Sequence, residues 1–493
     1  MSATSADAEE LEEGAASALE TGEEEQQLPR VLAAAERLRN PRMWQWAGLL
    51  QRSLDEYEAA VASFEEAARL APGDASIAHG RARVALEAGV PAEELFDQAA
   101  SLAPADGSVL IGRAAARVAA GEGERASNEL AAMLEQNPLW IEGHEQLAQL
   151  LATLGRAGEA SKSLERALRR FPTDQALWSA LLRLHLRRED YRRLKLDSER
   201  AANSGVGPAA LMLFHAIGAA ELDDSVFPPA LFSTPAAVNP QLAIWRVRHL
   251  LRVGAMSEAT ALIDAELGAG RGEDLWPYAA VVWRMTGNAR QHCLEGDERF
   301  VAVLDLTPDL PPLEVLSSTL RSLHRAKGEY LDQSVRGGTQ TDGPLLSRVD
   351  PVVGKLRSAI VEAVEGYVEQ LPPIDPEHPL LRHRRDRRIR FAGSWSVRLR
   401  SGGRHANHVH PQGWISSALY VSLPERSAAE PEDSGWLTLG QPQESLGLDL
   451  PPSRRIEPVV GRLVLFPSYM WHGTVPFSHG ERLTVAFDVR PPI

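Results

Sequence analysis

The chain has 493 residues, of which 44% are hydrophobic and 24% charged, and these ordinary globular proportions exclude wholesale disorder. The net charge of −15 at pH 7 argues against a nucleic-acid-binding surface, and the single cysteine excludes a disulfide framework, a cysteine-rich zinc site and an iron–sulfur cluster. At roughly 150 residues per domain, the length predicts about two to four folded units.

The first 28 residues carry nine acidic side chains and no lysine or arginine. A segment of this composition buries too little apolar surface to offset the entropy of ordering it, so residues 1–28 are predicted to form a mobile acidic tail. The start of the chain lacks the basic and apolar regions of a signal peptide, and no stretch is apolar enough to span a membrane. We therefore expect a cytoplasmic protein with neither membrane nor nucleic acid as a partner.

A repeat begins near residue 29. Prolines recur 32, 34 and 34 residues apart, each after an apolar-periodic stretch, at Pro72, Pro104, Pro138 and Pro172. The first copy combines one large residue, Phe64, with four small residues, which are Ala47, Gly48, Ala60 and Ala67. This pattern resembles the tetratricopeptide repeat, in which small residues let two antiparallel helices approach closely. Residues 29–205 are therefore predicted to form an α-solenoid.

The period continues more faintly at Pro208, Pro240 and Pro277, without the small residues, and predicts degenerate helical repeats over residues 206–298. Such arrays usually bind peptides or partner proteins in a long groove. The alternative is that the array only shields, orients or dimerises the rest of the chain.

Over residues 299–493 the helical repeat gives way to a different sequence pattern. Amphipathic helices are predicted at 313–323 and 352–371, and a polar, glycine-rich pocket loop between them at 333–343 contains Gly338, Thr339 and Gln340. A run of arginines follows and is expected to be a solvated face or, alternatively, to pair with acidic repeats or the acidic tail: Arg382, Arg384, Arg385, Arg387, Arg388 and Arg390. Five short strands, at 390–399, 415–423, 436–439, 462–466 and 482–489, then predict a sandwich or jelly roll.

Three histidines in this region have the spacing of metal ligands. His408 and His410 are two residues apart at a strand end, so both imidazoles point to one side, and His472 follows another strand. If a hairpin is centred on Phe477, His472 lies directly opposite Arg482 on one face, with Thr484 two residues further on that face. The pattern predicts a metal site with a cation close to it.

These motifs resemble the iron(II)- and 2-oxoglutarate-dependent oxygenases, which are built on a double-stranded β-helix. Residues 299–493 are most similar to a prolyl-hydroxylase-like branch, through the motifs at 408–411, 416–421 and 461–468. The resemblance implies that His408 and His472 bind iron(II), that Arg482 holds the distal carboxylate of 2-oxoglutarate with Thr484 as its hydroxyl partner, and that O2 is the oxidant. Tyr420 is expected to hydrogen-bond 2-oxoglutarate or to belong to the core.

His410 stands where this family usually has a carboxylate. Either it completes a neutral three-histidine set that binds iron less tightly, or a water replaces it, and three histidines also suit zinc. His405 and His479 are expected to be exposed loop residues, and Trp395 a core residue.

The function implied by the resemblance is hydroxylation of a protein, peptide or small-molecule C–H bond, with succinate and CO2 as coproducts and the repeat array recruiting or orienting the substrate. Two alternatives stay open. One is a non-catalytic repeat scaffold with a degenerate β-helix; the other is a cupin-like three-histidine metalloenzyme that does not use 2-oxoglutarate and needs no cation at Arg482.

Overall fold

The computed structural model describes residues 3–222, 241–331, 333–425 and 430–493. Helices form the first part of the chain, and two antiparallel sheets form the last part. The helices within the described residues are α1 (Ala3–Thr21), α2 (Glu24–Leu38), α3 (Pro41–Ser53), α4 (Tyr57–Leu70), α5 (Ala75–Glu87), α6 (Glu93–Leu102), α7 (Gly107–Ala120), α8 (Gly123–Gln136), α9 (Ile141–Thr153), α10 (Lys162–Arg170), α11 (Gln175–Arg187), α12 (Tyr191–Asn203), α13 (Pro208–Glu221), α14 (Gln241–Arg252), α15 (Met256–Gly268), α16 (Trp276–Thr286), α17 (Arg290–Glu295), α18 (Leu313–Leu323) and α19 (Pro351–Gln370).

The strands are β1 (Ala302–Asp305), β2 (Val335–Gln340), β3 (Phe391–His405), β4 (Ile415–Ser422), β5 (Leu437–Leu439), β6 (Arg454–Ile456), β7 (Arg462–Pro467), β8 (His472–Thr474) and β9 (Arg482–Val489). The predicted fold class, an α-solenoid followed by a jelly-roll β domain with supporting helices, is confirmed. Among the described segments, no helix has both the length and the apolar composition needed to cross a membrane.

The recurring prolines mark the ends of α4, α6, α8 and α10, each of which stops two residues before one of them. After three of the four prolines an aspartate caps the next helix, because its carboxylate accepts backbone N–H groups left without partners in the first turn: Asp74, Asp106 and Asp174. Phe64 is fully buried, and a Cβ on Gly48 or Gly80 would lie within 2.6 or 2.3 Å of its ring. The small residues are therefore required by close helix packing.

In the degenerate repeats predicted over residues 206–298, the described prolines do not mark the ends of helices as they do earlier in the chain. Pro208 and Pro277 lie in the first turns of α13 and α16, where a missing N–H costs nothing, and do not end helices. The periodic stretches after residue 241 do form helices, α14 and α15. Pro240 lies outside the described residues.

The prediction of a mobile acidic tail is wrong for residues 3–28. This segment forms α1 and the start of α2, and Ala15, Ala18 and Leu28 are buried against Ala47 and Leu50 of α3. The segment is rich in alanine, and α3 supplies an apolar surface that the segment does not contain itself.

Acidic side chains at the start of α2 and just before it are paired with the arginine run. Glu24, with its side chain 2% exposed, binds Arg390 at 2.7 Å, and Glu23 binds Arg387. Burial alone would raise the pKa of Glu24, but the hydrogen bonds from Arg390 and Ser53 outweigh it and lower that pKa. The first helices and the start of β3 are therefore joined by a partly buried ionic contact, the second of the two roles expected for the arginines.

Replacing Glu24 by glutamine should lower the free energy of unfolding by roughly 2–4 kcal/mol, since it leaves Arg390 buried without a counter-charge. Because the folded-state pKa of Glu24 lies below the ordinary 4.5, its contribution is present above pH 4.5 and is lost as the pH falls below that value. Denaturant unfolding of both proteins at several pH values measures this. Glu25→Gln is the matched control, because its contact with the exposed Arg388 is longer, at 3.4 Å, and its loss should change stability by less than about 1 kcal/mol.

The turns inside successive repeats contact the C-terminal domain along one edge of the array. The carbonyl of Ala88 accepts the N–H of Val349, and that of Thr153 accepts the N–H of Lys327 at 2.8 Å. Further along, Arg248 of α14 donates to Gln443 at 2.8 Å. The array is therefore fixed against the β domain along much of its length.

The β domain has a six-stranded sheet in the order β1-β7-β4-β9-β3-β2 and a three-stranded sheet in the order β6-β5-β8. Side chains alternate between the two faces of each strand. In β4 and β9, Leu419 and Val485 face the supporting helices, whereas Ala418 and Tyr420 pack against Leu437 of the small sheet. This alternation directs a defined set of side chains into the space between the sheets.

Candidate metal centre

Three histidines meet between the two sheets. His408 follows β3 and His472 begins β8, and the backbone N–H of each donates to the carbonyl of the other, at 2.9 and 3.0 Å. His410 is held by its N–H bond to the carbonyl of Ser468, at 3.0 Å. One ring nitrogen of each histidine lies within 4.8 Å of those of the other two. Such a cluster can bind a single metal ion.

Each of the three rings is oriented by a hydrogen bond at its Nδ1. His408 Nδ1 is 2.8 Å from the carbonyl of Ala406, and His472 Nδ1 is 3.0 Å from that of Met470. His410 Nδ1 is instead 2.6 Å from a carboxylate oxygen of Asp488. With Nδ1–H donating in every case, each Nε2 keeps a lone pair that a metal could bind, and at His408 the Ser334 hydroxyl lies 3.1 Å from that atom.

The environment keeps the rings of His408 and His472 uncharged. Burial lowers the pKa of His408 and His472 well below 6.5, and the neighbouring histidines lower both further. Neutral imidazole is the form that binds metals.

A buried cation lies in the same cavity. Arg482 is 3% exposed; its Nη1 donates to the carbonyl of Gly435 at 2.7 Å, and its guanidinium lies 4.8 Å from the centre of the Tyr420 ring. Among the described residues, Arg482 Nε and the Tyr420 hydroxyl have no hydrogen-bond partner outside this arginine–tyrosine pair, and no carboxylate pairs with the arginine. Burial lowers the pKa of Arg482. This end of the cavity therefore suits an anion.

The predicted hairpin register is wrong. β8 pairs with β5, where His472 lies opposite Leu439, whereas β9 pairs with β3, where Arg482 lies opposite Leu399. The residues between β8 and β9 pass from one sheet to the other, so no hairpin forms. His472, Arg482 and Thr484 nevertheless line one cavity, because the two sheets face each other across it.

His405 was predicted to be an exposed loop residue, and this prediction is wrong. It ends β3 and lines the cavity, and burial, followed by the charges of Arg482 and His410, lowers its pKa to about 3. The hydroxyl of Ser334 joins it to the site, at 3.0 Å from His405 Nδ1 and 3.1 Å from His408 Nε2. His479 is exposed, as expected.

The glycine-rich segment is a strand, contrary to its prediction as a loop. Gly338, Thr339 and Gln340 belong to β2 and pair with residues 397–399 of β3, and none of them lines the cavity. The predicted loop does contribute to the lining through its first two residues, Gln333 and Ser334, just before β2.

Trp395 and Asp488 also line the cavity, although neither was predicted to belong to the site. Trp395 stacks on the His410 ring at 5.6 Å. Asp488 was detectable, because steps of two along β9 from Arg482 pass through Thr484 and Ala486 to Asp488.

A cleft of about 900 Å³ opens onto His408 and His410. One wall belongs to the β domain and includes Trp395 and Trp471. The other belongs to the helical array and includes Arg188, Tyr191 and Trp245. The array is therefore part of the approach to the histidines.

Family models match both parts of the chain. Residues 393–488 match the model described as "Putative 2OG-Fe(II) oxygenase", and residues 41–74 and 141–184 match tetratricopeptide-repeat models. These matches confirm the two resemblances. Among curated proteins, none matches the chain significantly.

Solved structures that match parts of this chain come from several bacteria. A prolyl-4-hydroxylase from Pseudomonas putida is 16% identical, with 39% of this chain and 92% of that chain covered and a TM-score of 0.26. A tetratricopeptide-repeat protein from Parabacteroides merdae is 16% identical, with 52% and 93% covered and a TM-score of 0.30. A thermophilic tetratricopeptide-repeat protein from Thermus thermophilus is 24% identical, with 34% and 91% covered and a TM-score of 0.25.

Proposed function

We propose that residues 299–493 form an iron(II)- and 2-oxoglutarate-dependent dioxygenase that hydroxylates a substrate C–H bond, with succinate and CO2 as coproducts. The observation that carries the proposal is the combination in one cavity of three histidines, each oriented by a hydrogen bond at Nδ1, and a buried arginine that has no carboxylate partner among the described residues. The family-model match over residues 393–488 supports the same reaction class.

The donor set fits the metal. His408, His410 and His472 supply three neutral nitrogen ligands, which iron(II) accepts and zinc also accepts. When bound, iron(II) together with 2-oxoglutarate and O2 supplies the oxidising chemistry. The hydrogen bonds at Nδ1 hold the three rings in place, so little reorganisation is needed when a metal binds.

The other end of the cavity fits the cosubstrate. Arg482 can form a charge-assisted pair with the distal carboxylate of 2-oxoglutarate, and its unpartnered Nε and the Tyr420 hydroxyl are the orphaned polar atoms that such a ligand would satisfy. Thr484 lies two residues from Arg482 on the same face of β9 and lines the cavity. Apolar neighbours, Phe466 and Leu437 among them, limit water near these charges. This arrangement favours the proposal over a three-histidine enzyme without 2-oxoglutarate, which has no need of the cation.

The substrate, a protein or peptide segment or a smaller molecule, is proposed to reach the metal through the cleft. The array wall of this cleft supports a role for the repeats in orienting it, because Arg188, Tyr191 and Trp245 face the same space as His408 and His410.

Arg188→Glu should change which substrates are accepted while leaving 2-oxoglutarate turnover without substrate unchanged. Arg188 lies in the turn between α11 and α12, on the array wall of the cleft, so its charge should act mainly on what enters the cleft. Peptides of a randomised library that gain one oxygen atom are identified by mass spectrometry for both proteins. Identical peptide preferences would indicate that the array only shields or orients the domain. Arg166→Glu, on the array away from this cleft, is the control.

Formation of succinate from 2-oxoglutarate tests the reaction class. We expect succinate to form slowly without added substrate, to require iron(II) and O2, and to be absent from His472→Ala. Metal binding without succinate, with zinc preferred to iron, would favour the cupin-like alternative, and failure to bind any metal would favour the scaffold.

A further inference from the structure

We propose that Asp488 supplies the negative charge of the metal site through His410, as a positioning residue one hydrogen bond away from the metal. This inference rests on the proposed metal binding. His410 occupies the position where related oxygenases have a carboxylate ligand, and the structure places a carboxylate directly behind it.

The three histidines are oriented differently. His408 and His472 donate from Nδ1 to the backbone carbonyls two residues before them, Ala406 and Met470, which carry no net charge. Only His410 donates to a carboxylate, with Asp488 Oδ2 at 2.6 Å. A carboxylate at this position fixes the tautomer with Nε2 free and makes that nitrogen a stronger donor to a metal. His410, which stands where related oxygenases have a carboxylate ligand, is therefore the histidine whose Nδ1 is hydrogen-bonded to a carboxylate.

Asp488 is held rigidly in that position. It is 7% exposed and lies opposite Ser416 in the pairing of β9 with β4. The Ser416 hydroxyl donates to its other oxygen, Oδ1, at 2.6 Å, and lies 2.9 Å from the Ser468 hydroxyl. The backbone of Gly413 packs closely beside Asp488, since a Cβ on this glycine would come within 3.2 Å of the Asp488 Cβ.

No other charge accounts for this carboxylate. Across the described residues, its one ion-pair partner is His410, and neither a lysine nor an arginine pairs with it. A buried carboxylate without a permanent cation is costly unless something else compensates it. A divalent metal on the far side of His410 would do so. Trp395 stacks on the His410 ring, with the ring centres 5.6 Å apart, and so helps to hold that ring in place.

The test is anaerobic titration of the full chain with iron(II), following affinity and, separately, the melting temperature of the metal-free protein. Asp488→Asn preserves shape and removes the charge, and we expect the affinity for iron(II) to fall about 10–100-fold. Asp488→Glu keeps the charge at a displaced position, so its affinity for iron(II) should lie between those of the unaltered protein and Asp488→Asn. Ser416→Ala, which leaves the contact between His410 and Asp488 in place, is the control and should change affinity by less than either.

A second pair of variants separates this role from a structural one. His410→Asp alone places two carboxylates side by side and should weaken iron(II) binding, whereas adding Asp488→Asn removes the repulsion and should strengthen binding relative to that single variant. Asp488→Asn thus lowers affinity in one background and raises it in the other. A purely structural aspartate would give a loss in both, and wild-type affinity in Asp488→Asn would likewise overturn the inference. If the unaltered protein binds no iron(II), the proposed function itself fails.

Discussion

His472→Ala should abolish metal binding and leave the helical array folded. His472 begins β8 and faces His408 across a backbone bridge, so its loss leaves two histidines on one side of the cavity and no ligand opposite them. We expect the loss of iron(II) affinity to go well beyond the roughly 10–100-fold that removal of an outer-shell partner costs. Binding is measured by equilibrium titration, and the helical content by circular dichroism.

The array should be unaffected because the stability of a solenoid depends mainly on contacts between adjacent repeats. His479→Ala is the control for this variant, since His479 is exposed and lies only seven residues further along the chain. If His472→Ala kept the metal affinity of the unaltered protein, His472 would be removed from the site.

Arg482→Ala should leave metal binding nearly intact and weaken 2-oxoglutarate binding by roughly 2–5 kcal/mol, the usual cost of truncating one partner of a buried charge pair. Arg482 is buried, and its side chain donates to the backbone carbonyl of Gly435. The variant therefore removes the cation with which the cosubstrate would pair. The 2-oxoglutarate affinity of Arg482→Lys should lie between those of the unaltered protein and Arg482→Ala, because lysine supplies the charge without the planar pair of N–H groups.

The 2-oxoglutarate affinity and the melting temperature are measured on the same preparations. An arginine that served only to brace β9 would give a lower melting temperature and an unchanged affinity, and that result would contradict the assignment of 2-oxoglutarate. Thr474→Val is a suitable control, because Thr474 lines the same cavity on the opposite sheet.

Local patterns in the sequence predicted most of the fold. The proline spacing located the ends of four helices, and the period of two placed Arg482 and Thr484 on one face of β9. Both signals depend only on neighbouring residues along the chain. The predicted helix over 313–323 likewise matches α18.

Errors arose where a distant part of the chain decides the local structure. The acidic residues of α2 are ordered by arginines more than 360 positions later, such as Arg390 for Glu24, and composition cannot reveal such a pairing. His472 and Arg482 are only ten residues apart, yet they belong to different sheets, and only the topology of the sandwich brings them to one cavity. His405 reaches the site because β3 is longer than its apolar pattern indicated.

The proposed reaction requires that iron(II) and 2-oxoglutarate bind together at the three histidines and Arg482. The most direct measurement is anaerobic titration of the full chain with iron(II) and then with 2-oxoglutarate, followed by visible absorption. We predict a charge-transfer band that needs both components, is absent from His472→Ala, and requires far more 2-oxoglutarate in Arg482→Ala. If the protein binds iron(II) but no band forms at saturating 2-oxoglutarate, the central claim is contradicted.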